Sequence, residues 1–117
     1  ILKNLIIAND DNRPISHIPK VKLIKGDACE TIPKFVLEKK ELLISMLYLD
    51  FDLYKPTLTA LKYLLPLVVK GGVVVFDEIN HEKWVGETLA FKEILDPRKV
   101  KLKKFSFDPG PAYFIVE

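Results

Sequence analysis

Residues 42–78 read LLISMLYLDFDLYKPTLTALKYLLPLVVKGGVVVFDE. Leu42–Leu49 is a nearly continuous apolar run, the pattern of a strand covered on both faces. Pro56 starts a helix in which Leu58, Leu61, Leu65 and Val68 fall on one stripe. Pro66 should kink or shorten its last turn, and Gly71-Gly72 reads as a helix C-terminal signal. Val73–Phe76 is then a second buried strand. Strand, helix and strand in this order form a right-handed crossover unit of a parallel sheet. Both strands end in acids: Asp50 and Asp52 after the first, Asp77 and Glu78 after the second. Four carboxylates at neighbouring strand ends are costly unless something positive sits between them. Ligands of open α/β sheets bind outside the carboxyl ends of the strands, which is where these acids fall.

Working outward, Ile1–Ala8 has helix-like apolar spacing and runs into the loop Asn9–Pro14. Val21–Ile24 reads as a short strand stopped by Gly26-Asp27. Thr31-Ile32-Pro33 opens a helix of about ten residues, with Thr31 as its N-cap and Pro33 in its first turn. Glu82–Leu95 reads as a third crossover helix, closed by Asp96-Pro97. Val100–Phe107 and Ala112–Val116 flank the turn Asp108-Pro109-Gly110-Pro111 and look like an antiparallel closing pair. The order β-α-β-α-β-α-β-β makes an α/β fold with a largely parallel sheet and a terminal hairpin.

The 117 residues suffice for one domain with a real core. A formal charge of +2 gives no case for a nucleic-acid partner, and Lys99, Lys101, Lys103 and Lys104 suit a solvated strand face better than a phosphate track. The single cysteine, Cys29, excludes an intrachain disulfide and fits a reducing cytosol, so a cytoplasmic setting is expected. No apolar stretch approaches the roughly 20 residues of a spanning helix, so no membrane partner is expected. The chain opens at Ile1 within a helix-like segment, which suggests the C-terminal portion of a longer domain.

Asp50 and Asp52 are two apart, so in extended chain both project from one face. That spacing lets two oxygens share a cation, or lets one bind metal while the other takes a proton. Oxygen-only ligands point to Mg²⁺, with Ca²⁺ or Mn²⁺ as alternatives. Asp77 and Glu78 are adjacent and reach one site only if the chain turns at the strand exit. The competing reading is that one acid of each pair caps the next helix, above all Asp52 ahead of Pro56. Gly26-Asp27-Ala28 directly follows a strand, where a glycine lets a ligand approach the backbone and a carboxylate accepts from an amino group or hydroxyl; Gly-Asp is also ordinary turn chemistry. Cys29 reads as a small buried hydrophobe and His81 as a loop histidine. Tyr54, beside the acids, is a better candidate than Trp84 to line a substrate pocket. GxGxxG, P-loop, HExxH, Cys/His and Gly-x-Ser-x-Gly patterns are all missing.

Val21–Pro33 (VKLIKGDACETIP), Leu47–Leu61 (LYLDFDLYKPTLTAL), Lys70–Glu78 (KGGVVVFDE) and Gly86–Phe91 (GETLAF) together resemble the macrocin O-methyltransferases. These TylF-type class I enzymes use S-adenosylmethionine (SAM) to methylate sugar hydroxyls. The most specific element is Asp-x-Asp-Leu-Tyr-x-x-Thr followed by Gly-Gly and a strand ending in two acids. The resemblance implies metal ligation by Asp50, Asp77 and Glu78, a general base in Asp52, and Gly26, Asp27 and Ala28 near the adenine of SAM. The family more often has Asp-Asp where this chain has Asp77-Glu78; glutamate keeps the charge and reaches one methylene further.

Such a resemblance also implies a Rossmann-like sheet in the order 3-2-1-4-5-7-6, of which this chain holds strands 3 to 7. None of its glycines forms the Gly-rich SAM loop that follows strand 1. The expectation is therefore the C-terminal portion of a methyltransferase domain, inactive alone, whose parent enzyme transfers methyl to a sugar or related small-molecule hydroxyl with Mg²⁺ or another divalent cation. Self-association to a homo-oligomer stays open. Two alternatives are a glycosyltransferase using Asp50-Phe51-Asp52 as a DxD motif on a nucleotide-sugar diphosphate, and a non-catalytic methyltransferase-like binding domain.

Overall fold

A computed structural model describes residues 1–117. In chain order it contains α1 (Leu2–Asp11), α2 (Ala28–Glu38), β1 (Ile44–Leu49), α3 (Tyr54–Leu64), a 3-10 turn (Leu65–Leu67), β2 (Val68–Phe76), α4 (Gly86–Ile94), β3 (Lys103–Lys104) and β4 (Ala112–Ile115). The four strands form one sheet in the order β1-β2-β4-β3, with β1 and β2 parallel and the other two pairings antiparallel. The α/β architecture and closing hairpin are as expected, but the sheet is not largely parallel. It has four strands rather than five, and only the β1–β2 pairing is parallel because the hairpin strand β4 lies between β2 and β3.

Alternation along the strands builds the core. Leu47 pairs with Val74 and Leu49 with Phe76, while Val74 and Phe76 face Phe114 and Ala112 across the antiparallel join. All six point to one side of the sheet and are buried against Ala60 and Leu61 of α3 and Ala90 and Phe91 of α4. Phe76 anchors this layer, edge-on to Phe91 with ring centroids 5.5 Å apart and stacked on Phe114 at 6.4 Å. Residues of the opposite phase, Met46, Tyr48 and Ile115, are exposed. β1 is thus covered on one face only, and the expectation of two covered faces is corrected. Both helices that follow β1 and β2 pack on the same side of the sheet, as right-handed crossovers dictate for strands laid down in one direction.

Several boundaries differ from the sequence reading. Val21–Ile24 is not a strand: a strand exists by pairing, and this segment has no neighbour to pair with. The helix after it starts at Ala28, not at Thr31. Its cap is Asp27, whose side chain accepts the Cys29 N–H at 2.9 Å, so Pro33 falls inside the helix. The expected strand over Val100–Phe107 shrinks to Lys103–Lys104. The third crossover helix begins only at Gly86, because His81 Nδ1 accepts the N–H groups of Lys83 and Trp84 and folds residues 81–84 into a loop.

Gly71-Gly72 does not end a helix. Pro66 already converts the end of α3 into a 3-10 turn, and the two glycines lie within β2. Ile44 pairs with Val68 but Met46 with Val73, so β2 bulges out between these positions. Gly71 takes a φ of 81°, and a Cβ on Gly72 would stand 2.8 Å from the Val69 carbonyl and 3.1 Å from that of Ser45.

Candidate active site

The parallel pairing of β1 and β2 brings their carboxyl ends side by side. The ladder continues one bond past β2, with the Asp77 N–H donating to the Leu49 carbonyl at 2.9 Å. Asp50 and Asp77 therefore leave the sheet as neighbours, each at the first position after its strand. Tyr48, on the open face of β1, donates its hydroxyl to Asp77 Oδ1 at 2.5 Å. That bond to a carboxylate holds the Tyr48 phenol up at about 12, with burial and the charges of Asp77 and Asp50 adding to the effect. Asp77's negative charge also raises the Asp50 carboxyl above its ordinary range, followed by burial and the charge of Asp52.

Asp52 does not cap α3. The cap position is Leu53, with no side-chain bond to the helix, so the competing reading of Asp52 as an N-cap is set aside. Nor is the segment extended there. Asp52 has φ 59°, the left-handed region that a non-glycine residue seldom adopts. The shared face of an extended chain is therefore lost at Asp52, yet the turn still brings oxygens of Asp50 and Asp52 within 4.8 Å of each other.

A fifth acid, which reading the residues one by one gave no role, completes the cluster. Glu87 in the first turn of α4 is fully buried, and one of its oxygens lies within 4.8 Å of oxygens of both Asp50 and Asp52. Oε1 accepts the Asp52 N–H at 3.2 Å, and Oε2 accepts the Glu78 N–H at 3.0 Å. Burial pushes the Glu87 carboxyl above its ordinary range, and the N–H groups of Glu78, Asp52 and Phe51 pull it back. The signal in the sequence was an acid on an apolar stripe: Glu87 shares its helix face with Ala90, Phe91 and Ile94.

The remaining candidates fall around this cluster. Glu78 Oε2 lies 3.8 Å from His81 Nε2 at the mouth of the loop after β2. Tyr54 turns away from the acids and donates its hydroxyl to Glu93 of α4, so its expected place in a substrate pocket gives way to a tie between helices. Gly26 and Ala28 line an apolar groove of about 520 Å³ between α2 and β1, together with Ile32, Met46 and Phe51. Asp27 is not among the lining residues, its carboxylate being engaged at the start of α2. Phe51 links the two regions, since it lines the groove and stands between Asp50 and Asp52.

Two parallel strands that deliver acids at their carboxyl ends, closed by an antiparallel hairpin, define an α/β domain with its site at the strand ends. The chain belongs to the macrocin O-methyltransferase (TylF) family, whose model matches residues 17–112 and so takes in every acid of the cluster. It is similar to CalS11, a TDP-rhamnose 3'-O-methyltransferase of calicheamicin biosynthesis. The apo structure of that enzyme superposes with a TM-score of 0.91 at 33% identity, covering 97% of this chain and 49% of CalS11. A second crystal structure of CalS11 gives 0.92 at 33% identity, covering 97% of this chain and 45% of the other. The chain thus spans about half the length of the solved structures it matches. No curated protein matches it in sequence. The helices contain no segment long and apolar enough to cross a membrane.

Proposed function

We propose that this chain is the acid-bearing C-terminal part of a SAM-dependent O-methyltransferase acting on a sugar or related hydroxyl. The observation that carries the proposal is the placement of Asp50, Asp52, Asp77 and Glu78 just past two adjacent parallel strand ends in a chain of this family, with oxygens of Asp50, Asp52 and Glu87 within 4.8 Å of one another. Family membership also weighs against the diphosphate reading of Asp50-Phe51-Asp52.

Asp50, Asp77 and Glu78 would hold a divalent cation. Oxygen donors suit a hard ion such as Mg²⁺, and the Asp50–Asp77 repulsion is the kind that a cation relieves. The oxygens already within 4.8 Å of one another are those of Asp50, Asp52 and Glu87, so Glu78 would have to turn from His81 to join them. Gly26 and Ala28 would border SAM at the apolar groove, where these small residues leave room beside the larger apolar wall for a flat ring. When bound, the cation supplies Lewis acidity at the acceptor oxygen, and SAM supplies an electrophilic methyl with a thioether leaving group.

The protein's own share is positioning and proton transfer. Asp52 would accept the acceptor's hydroxyl proton on its carboxylate, making that oxygen the nucleophile. The left-handed turn at Asp52 sets that carboxylate beside Asp50 and off the helix it would otherwise cap.

The test uses the longer enzyme, titrated calorimetrically with SAM in Mg²⁺ and then in EDTA, with turnover measured on nucleoside-diphosphate sugars. The expected result is saturable SAM binding, metal-dependent transfer, and an Asp52→Asn variant that binds SAM normally but turns over roughly 10²- to 10⁴-fold more slowly. A folded full-length protein that binds no SAM would overturn the proposal.

A further inference from the structure

Glu87 is the one carboxylate of the cluster with no access to solvent. A buried charge is tolerated where hydrogen-bond donors surround it, and here the donors are main-chain N–H groups of the two acid-bearing loops. Asp52 lies three residues beyond the end of β1 and Glu78 two beyond the end of β2, so one side chain ties both strand exits together. Each carboxylate oxygen serves one loop. The positive end of α4 lies beneath the carboxylate and favours its negative charge.

Gly86 makes this approach possible. A Cβ there would stand 2.5 Å from both the Asp52 carbonyl and the Tyr54 nitrogen, so only glycine lets the first turn of α4 press against residues 52–54. The Asp52 N–H held by Glu87 belongs to the residue at φ 59°, a backbone state that persists when its surroundings over-determine it. Glu78, at the other end of the clamp, carries one of the proposed ligand groups.

From this geometry we infer that Glu87 is a positioning residue, a buried strut that sets the left-handed turn at Asp52 and the spacing between the two acid-bearing loops. The inference rests on the reading of Asp50, Asp77 and Glu78 as a cation site. It also adds a feature of its own: the clamp is complete in the protein alone.

The test has two arms on the full-length enzyme. In the first, amide hydrogen exchange is followed by NMR in EDTA and then in Mg²⁺. The Asp52 and Glu78 amides are expected to be protected in both conditions. Glu87→Gln keeps one acceptor and turns an NH₂ donor toward the other amide, so it is expected to expose at least one of the two while protection of the β1–β2 ladder is kept. In the second arm Mn²⁺ binding is read by its EPR signal. Glu87→Gln and Glu87→Met are each expected to weaken it by about 10- to 100-fold, as loss of an outer-sphere partner does. Gly86→Ala leaves the carboxylate in place but forces α4 off residues 52–54, and is expected to show the same two losses should the Glu87 variants not fold.

Unchanged protection of both amides in the Gln variant, protection that appears only when metal is added, or a Glu87→Met protein that binds Mn²⁺ as tightly as the parent would each overturn the strut. A parent enzyme that binds no Mn²⁺ would instead overturn the cation-site reading, and the exchange arm then decides the clamp by itself.

Discussion

Asp50 shows how the site loads a single residue. Its carboxyl is held above the ordinary carboxylate range chiefly by the charge of Asp77, then by burial and by Asp52. An acid that gains a proton affinity on folding binds more protons folded than unfolded, so it favours the fold below its unfolded pKa and loses that contribution as pH rises through its folded value. In EDTA, the full-length protein is therefore expected to lose thermal stability as pH climbs through the window just above the ordinary aspartate value of about 3.9. Saturating Mg²⁺ is expected to flatten that dependence, and Asp50→Asn to reduce it without metal, buried Glu87 supplying the remainder. Melting temperatures collected against pH for both proteins check this; a slope unchanged in the Asn variant would show that Asp50 is not part of its origin. Tyr48 contributes through Asp77, since its hydroxyl bond orients one oxygen of that carboxylate.

Among the elements, β2 departs furthest from its reading. Two adjacent glycines after an apolar helix look like a helix stop, because a residue without a Cβ suits the left-handed cap of a helix and the backbone crowding of a bulge equally well. The choice is made by the bulge against β1: the Ser45 carbonyl of β1 and the Val69 carbonyl of β2 itself leave no room for a side chain at position 72. Gly72→Ala is expected to destabilise the fold by about 1–3 kcal/mol, the usual cost of overpacking a tight site. Urea unfolding with an unchanged m-value checks it, and a variant as stable as the parent would show that the bulge yields freely. A similar logic governs α4. Its apolar stripe was legible, but its start at Gly86 follows from the His81 loop before it, and its close seat on residues 52–54 from the missing Cβ at Gly86, neither of which periodicity encodes.

The whole molecule is a half-covered sheet. One side holds the core between the strands and helices α3 and α4, while Met46, Tyr48 and Ile115 on the other side are 57%, 48% and 44% exposed. The outer edge of β1 is unpaired, and α1 buries none of its residues. Open apolar faces and free strand edges of this kind drive association. The 117-residue chain by itself is expected to bind the dye ANS strongly and to self-associate with rising concentration. A longer protein carrying the remainder of the domain should do neither to the same degree. Dye fluorescence and sedimentation on the two proteins check this, and a monomeric, dye-silent short chain would argue that the open face is stable in water.

The sequence alone established the βαβ unit, the closing hairpin and the positions of Asp50, Asp77 and Glu78. These follow from local rules: an apolar run of strand length, a helical stripe, and polar residues at the point where a buried strand emerges. Tertiary structure settled which strands pair, that Val21–Ile24 pairs with none, that Asp27 caps a helix, that Gly71-Gly72 forms a bulge, and that Glu87 joins the acids. Each of those depends on atoms far apart in the chain. Glu87 lies 35 residues from Asp52 and nine from Glu78, and no periodicity in its own helix says which main-chain N–H groups will stand within hydrogen-bonding distance of a buried carboxylate.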